Sequence, residues 1–200
     1  MDSLKEFLEA EDQQVARQLI CAQGYTTALA NEWSNHPVDV TTMVIMTPTD
    51  ADFFGDSYLD WLAVDPARWA VLWQNVYDLA DGQNVAIKLH EYQSSTLPVD
   101  KAVIIASLAK SVAEIRGMVL FAVDNGVHVE DCRVECPWMS QSVFDELKHD
   151  FGDEWAAKAL STVGVVPDEL MEGVSLGRLL NMPEKDLAYM PKRVSDAVNE

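Results

Sequence analysis

The sequence predicts an α+β protein: a single domain with a small, mostly antiparallel four-stranded sheet, flanking helices and a helical C-terminal extension. Three observations predict it. Helical periodicity occupies both ends of the chain. Between them, runs rich in β-branched residues alternate with further helical stretches. Asp124-Asn125-Gly126 supplies the positive-φ residues that a tight hairpin turn demands. Two hundred residues suit one domain, 1–200. The one candidate sub-boundary lies near 137, dividing an α+β core (1–136) from a helical extension (137–200).

Each element has its own signal. Ser3-Leu4-Lys5-Glu6 has the form of a capping box and opens a helix whose apolar positions keep a 3.6-residue period to Gly24. A shorter helix runs from Thr26 to Trp33 and stops before His36-Pro37. Val38 to Met46 is β-branched and uncharged after Asp39, hence a buried strand. Thr47 to Gly55 is turn-rich. Asp65 as N-cap and Pro66 at the first helical position start a helix with Trp69, Leu72, Trp73 and Val76 on one stripe, stopped by Asp81-Gly82. Asn84 to Gln93 alternates as a strand does. Asp100 caps a helix from Lys101 to Arg116, which Gly117 terminates. Met118–Val123 and Val127–Val134 are the two arms of the hairpin. Beyond Pro137 the pattern is helical, with a break at Gly152 recapped by Asp153 and further starts at Pro167-Asp168 and Pro183-Glu184.

Charge bounds the function. The chain carries 33 acids against 14 bases, a formal net charge of −19. Phosphate backbones need a basic face, so direct nucleic-acid binding is excluded as a default, and so is attachment to anionic membranes. The N-terminus lacks a secretory signal, no apolar run is long enough to span a membrane, and three cysteines make no disulfide framework. The expected location is cytoplasmic.

The acids are unevenly placed. Between Gln18 and Ala67 there is no lysine or arginine, yet Glu32, Asp39, Asp50, Asp52, Asp56, Asp60 and Asp65 fall there, among aromatic residues. Asp50, Asp52, Asp56, Asp60 and Asp65, with Tyr58 and Trp61 as anchors, form the candidate partner-binding set. Opposite charge would steer a basic partner onto it. Nineteen excess charges equal the phosphates of roughly 30 Å of duplex, at about one per 1.7 Å. The expected function is therefore that of an acidic, non-enzymatic binding protein or inhibitor. It would occupy the basic site of a nucleic-acid-binding protein as a DNA mimic, in the manner of phage- or plasmid-encoded inhibitors.

Two alternatives stand beside it. One is an acidic chaperone, immunity or assembly protein holding its partner through the C-terminal apolar residues Leu170, Met171, Val174, Leu179, Leu180, Met182 and Met190. The other is a divalent-metal enzyme using Asp50 and Asp52. Room is left for a homodimer. No catalytic residue, metal site or cofactor is assigned. Asp50 to Trp61 fails as a calcium loop, because Phe54 and Trp61 stand where oxygen ligands are required. His128, Cys132 and Cys136 are spaced too widely along an extended strand to converge on one zinc ion. Ser107-x-x-Lys110 would meet on a helix, but the motifs that accompany a serine–lysine site are missing.

Overall fold

A computed structural model describes residues 41–52, 68–80, 83–162, 164–172, 174 and 190–199. The helices expected before Val38 and the start at Pro183 lie outside these residues. The strands in chain order are β1 (Thr42–Met46), β2 (Arg68–Asp78), β3 (Asn84–Gln93), β4 (Lys101–Ile105), β5 (Leu108–Ala109), β6 (Cys132–Glu135), β7 (Trp138–Ser140), β8 (Leu160–Ser161) and β9 (Gly164–Val166). The helices are α1 (Pro48–Asp50), α2 (Val112–Asp124), α3 (Gln141–Phe151), α4 (Asp153–Ala159), α5 (Asp168–Met171) and α6 (Lys192–Asn199). Among the described residues, none of these helices is long and apolar enough to cross a membrane.

The main sheet has six strands in the order β3-β2-β1-β4-β6-β8, and a second has three in the order β5-β7-β9. Every pairing is parallel except that of β2 with β3. This corrects the predicted fold class: the sheet is larger than four strands and predominantly parallel. On one face Met43, Ile45, Leu72, Ile104 and Val134 pack with α2 (Ile115, Met118, Val119) and with Val143, Leu147 and Trp155 of α3 and α4. Strands covered on both faces need no alternation and read as continuous apolar runs. β1 is buried at all five positions.

That property explains the misassigned elements. Residues 68–73 of β2 are all buried, so their apolar character has no period of two, and spacing alone takes Trp69, Leu72, Trp73 and Val76 for a helical stripe. The expected helix 101–116 is instead β4, then β5, then the first turns of α2. Asp100 is not a helix cap. Its carboxylate accepts the N–H of Thr41 at 2.9 Å, at the entry to β1.

The expected hairpin is absent, since Met118–Val123 continues α2. Asn125-Gly126 nonetheless supplies the positive φ read from it, with Gly126 at +93°. It does so as the end of a helix. Gly126 N–H donates to Val123 O at 2.9 Å and Val127 N–H to Ala122 O at 3.1 Å, the paired bonds of a Schellman motif. The break at Gly152, at φ +92°, separates α3 from α4 as its sequence predicts.

The β2–β3 pair carries one irregularity. Trp73 faces His90 and Gln74 faces Lys88, so Leu89 is an extra residue in β3, a β-bulge. Residues three apart on a regular strand point to opposite faces. The bulge returns Lys88 and Glu91 to one face, where they form an ion pair.

Candidate active site

The chain leaves β1 toward β2 on one side of the sheet and leaves β4 toward β6 on the other. β1 and β4 are adjacent and parallel, so their carboxyl ends lie at a topological switch point, where open α/β sheets bind ligands. The residues that close this end come from three connections.

After β1, Thr47 caps the single turn α1. Its hydroxyl accepts the N–H of Asp50 at 3.2 Å and donates to Asp50 Oδ2 at 2.7 Å. The other carboxylate oxygen, Oδ1, accepts the N–H of Ser107, just past β4, at 3.0 Å. Asp50 is 3% exposed and Ser107 1%. One carboxylate therefore ties the ends of the two central strands together. Burial raises its pKa above the ordinary aspartate value, and the hydrogen bonds from Ser107 and Thr47 work against that rise.

After β5, Ser111 adopts an extended conformation (φ −129°, ψ 119°) and α2 begins. Ser111 and Glu114 have the spacing of a capping box. Yet the serine side chain makes no cap bond, and its oxygen is buried without a hydrogen-bond partner. Glu114 is half-buried in the first turn. Burial, and then the negative charge of Asp50, push its pKa up to about 7. A carboxyl in that state takes up or gives up a proton at neutral pH, which is what general acid–base chemistry needs.

After β6, Cys136 is 1% exposed and its thiol donates to the carbonyl of Trp138 at 3.1 Å. Burial, with smaller contributions from Asp50 and Glu114, raises its pKa, so this thiol is a poor nucleophile. Lys110, between β5 and α2, is exposed at the same end. The connection 106–111 reads Ala-Ser-Leu-Ala-Lys-Ser and contains no glycine.

Of the sequence-predicted set, Asp50 and Asp52 fall within the described residues; Asp56, Tyr58, Asp60, Trp61 and Asp65 lie outside them. Asp50 is buried and turned toward β4, so it presents no charge to a partner. Asp52 accepts the N–H of Lys192, at the start of α6, at 2.8 Å. The two aspartates bond to different elements, Asp50 to Thr47 and Ser107 and Asp52 to Lys192. Among the described residues, no group of three or more histidine, cysteine, aspartate or glutamate side chains is placed to hold a metal ion. Ser107 and Lys110 lie on a strand-and-turn connection rather than on a helix, and the spacing that would have joined them is lost. In the C-terminal apolar set, Met171 and Val174 are buried, whereas Leu170 and Met190 are exposed. Glu114 escaped the sequence reading because it sat in the last turn of the expected helix 101–116. The Ser-x-x-Glu spacing at 111–114 was the available sign that a helix starts there.

No family model matches the chain and no curated protein does. Solved structures do. A hypoxanthine phosphoribosyltransferase from Staphylococcus aureus superposes with a TM-score of 0.53 over 84% of this chain and 83% of that one, at 11% identity. The adenine phosphoribosyltransferase from Rhodothermus marinus gives 0.51 over 78% and 85%, at 9% identity. Likeness at these identities is likeness of fold. It overturns the expected non-enzymatic DNA-mimic inhibitor of mobile-element type. The parallel-dominated sheet is an architecture this chain shares with purine phosphoribosyltransferases.

Proposed function

We propose that this protein is an enzyme acting on a phosphoribosyl compound, with its active site at the carboxyl ends of β1, β4 and β6. The observation that carries the proposal is the pair of carboxyl groups at the switch point: Asp50, locked between Thr47 and Ser107, and the half-buried Glu114 beside it. The reaction class is that of the two superposed phosphoribosyltransferases.

In this proposal each residue has a distinct task. Asp50 holds the β1 and β4 ends in register and adds its charge to the burial that raises the pKa of Glu114. Glu114, ionised, takes the proton from a ring nitrogen of the acceptor base as that nitrogen bonds to C1 of the ribose and the bond from C1 to the departing pyrophosphate breaks. The N-terminus of α2 and the ammonium of Lys110 face the phosphates, as partial and full positive charges suit them. The protein works in the cytoplasm, in keeping with Cys132 and Cys136, both buried as free thiols.

The test is calorimetric titration of the full chain with 5-phosphoribosyl 1-pyrophosphate and with purine nucleoside monophosphates, followed by turnover assays with purine bases. The expected result is saturable binding that Lys110→Ala weakens. Glu114→Gln should retain binding but lose about a hundredfold or more in kcat. In the unaltered chain kcat should rise with pH through about 7, as Glu114 loses its proton. Absence of binding to any of these compounds would overturn the proposal.

A further inference from the structure

The main sheet ends at β3, and among the described residues nothing pairs with the outer edge of that strand. Edges of this kind are ordinarily short, bulged or charged, because their free N–H and C=O groups can template another strand. β3 runs for ten residues, seven of them exposed, including all of 87–91. Ile87 is 49% exposed and Leu89 47%. The edge also carries both signs of charge, Lys88 and Glu91, on one face.

Strand residues placed directly opposite each other in an antiparallel pair share a face of the sheet. The pairing with β2 fixes the faces of β3. Ala86, Lys88, Glu91 and Gln93 lie opposite Val76, Gln74, Leu72 and Ala70, on the side of α2. Ile87 and Tyr92 lie opposite Asn75 and Val71, on the other side. If a second β3 is laid antiparallel so that Lys88 meets Glu91, the remaining oppositions follow: Ile87 with Tyr92, Ala86 with Gln93, and Leu89 with His90 at the centre. The first three pairs each share a face. Two-fold symmetry makes each occur twice, giving two Lys88–Glu91 ion pairs and two Ile87–Tyr92 contacts. Shifting the register by one residue sets Lys88 opposite His90 or Tyr92 and mixes the faces.

We propose that the outer edge of β3 binds a second copy of this chain, antiparallel and centred between Leu89 and His90, so that two main sheets join into one. The complementarity is that of the strand with itself, which is what a two-fold interface requires. The local balance of Lys88 against Glu91 also matters in a chain of net charge −19, for which most surfaces of a second copy would be repelled. The inference does not depend on what the switch point binds.

Sedimentation velocity over a range of micromolar concentrations tests it, at physiological ionic strength, on the full chain. The unaltered protein should show a concentration-dependent dimer. Lys88→Glu and Glu91→Lys should each raise the dissociation constant by roughly tenfold or more, because like charges then face each other twice. The combined variant Lys88→Glu/Glu91→Lys should bring the dimer back. Both sites are exposed, and circular dichroism verifies that each of the three variants is folded. A monomer at every concentration would overturn the proposal and leave the edge to a different chain. So would a dimer that neither single substitution weakens.

Discussion

From Arg68 to Trp73 every residue of β2 is buried, whereas from Asn75 to Asp78 every residue is exposed, although both stretches pair with the same β3. The difference lies on the other side of the strand. β1 pairs with Arg68 to Val71 and no further, so β3 is the one strand paired with the second half of β2. A residue's type decides little here. Val71 is fully buried and Val76 is 39% exposed, within one strand. Burial outlasts the pairing with β1 by two residues, Leu72 and Trp73, and ends at the Trp73/Gln74 irregularity.

Truncations on the two sides of that boundary give the largest expected contrast. Leu72→Ala removes a side chain 1% exposed in the shared core and should cost about 2–5 kcal/mol in urea unfolding. Val76→Ala should cost under about 1 kcal/mol. Equal losses would mean that the second half of β2 is packed as closely as the first.

The next contrast asks whether the centre is built for stability alone. Glu114 has a folded-state pKa raised from 4.5 to about 7, so its favourable contribution is complete below 4.5 and is lost as pH rises through about 7. Glu114→Gln removes that loss. The variant should be more stable than the parent by about 2–3 kcal/mol near pH 8 and equal to it near pH 4. A variant no more stable at high pH would show that the carboxylate is not strained where it stands.

The smallest effect is at the joint between α2 and the second half of β2. A Cβ at Gly117 would come within 2.2 Å of Oε1 of Gln74, the far end of a flexible side chain that can swing away. Alanine gains about 1 kcal/mol in helix propensity. Gly117→Ala should therefore be nearly neutral in the parent and stabilising by about 1 kcal/mol in a Gln74→Ala background, as a double-mutant cycle would measure.

The same contrast decides what was legible in the sequence. The strand at Asn84–Gln93 could be read because it lies at the sheet edge, where polar and apolar residues alternate. β1 could be read because its β-branched run is too short for a helix. β2 and β4 could not, since strands covered on both sides show no alternation, and Pro66 and Asp100 offered plausible helix starts in front of them. The Asn125-Gly126 pair declared its positive φ truly but not its context, because a helix end and a hairpin need the same backbone there. Asp50 was chosen for its charge, yet what distinguishes it is the loss of solvent around that charge. Only the pairing of β1 with β4 brings Ser107 against it.

Leu89 carries a further consequence. Because the residues on either side of the bulge already face Trp73 and Gln74 in order, deleting Leu89 would leave every recorded pairing of β2 with β3 unchanged. What would go is the local kink and the extra twist that a bulge imparts. A straight ten-residue margin with exposed isoleucine and valine is an aggregation template for almost any extended peptide. One inserted leucine thus acts as a solubility safeguard: it restricts a promiscuous margin without altering the sheet it borders.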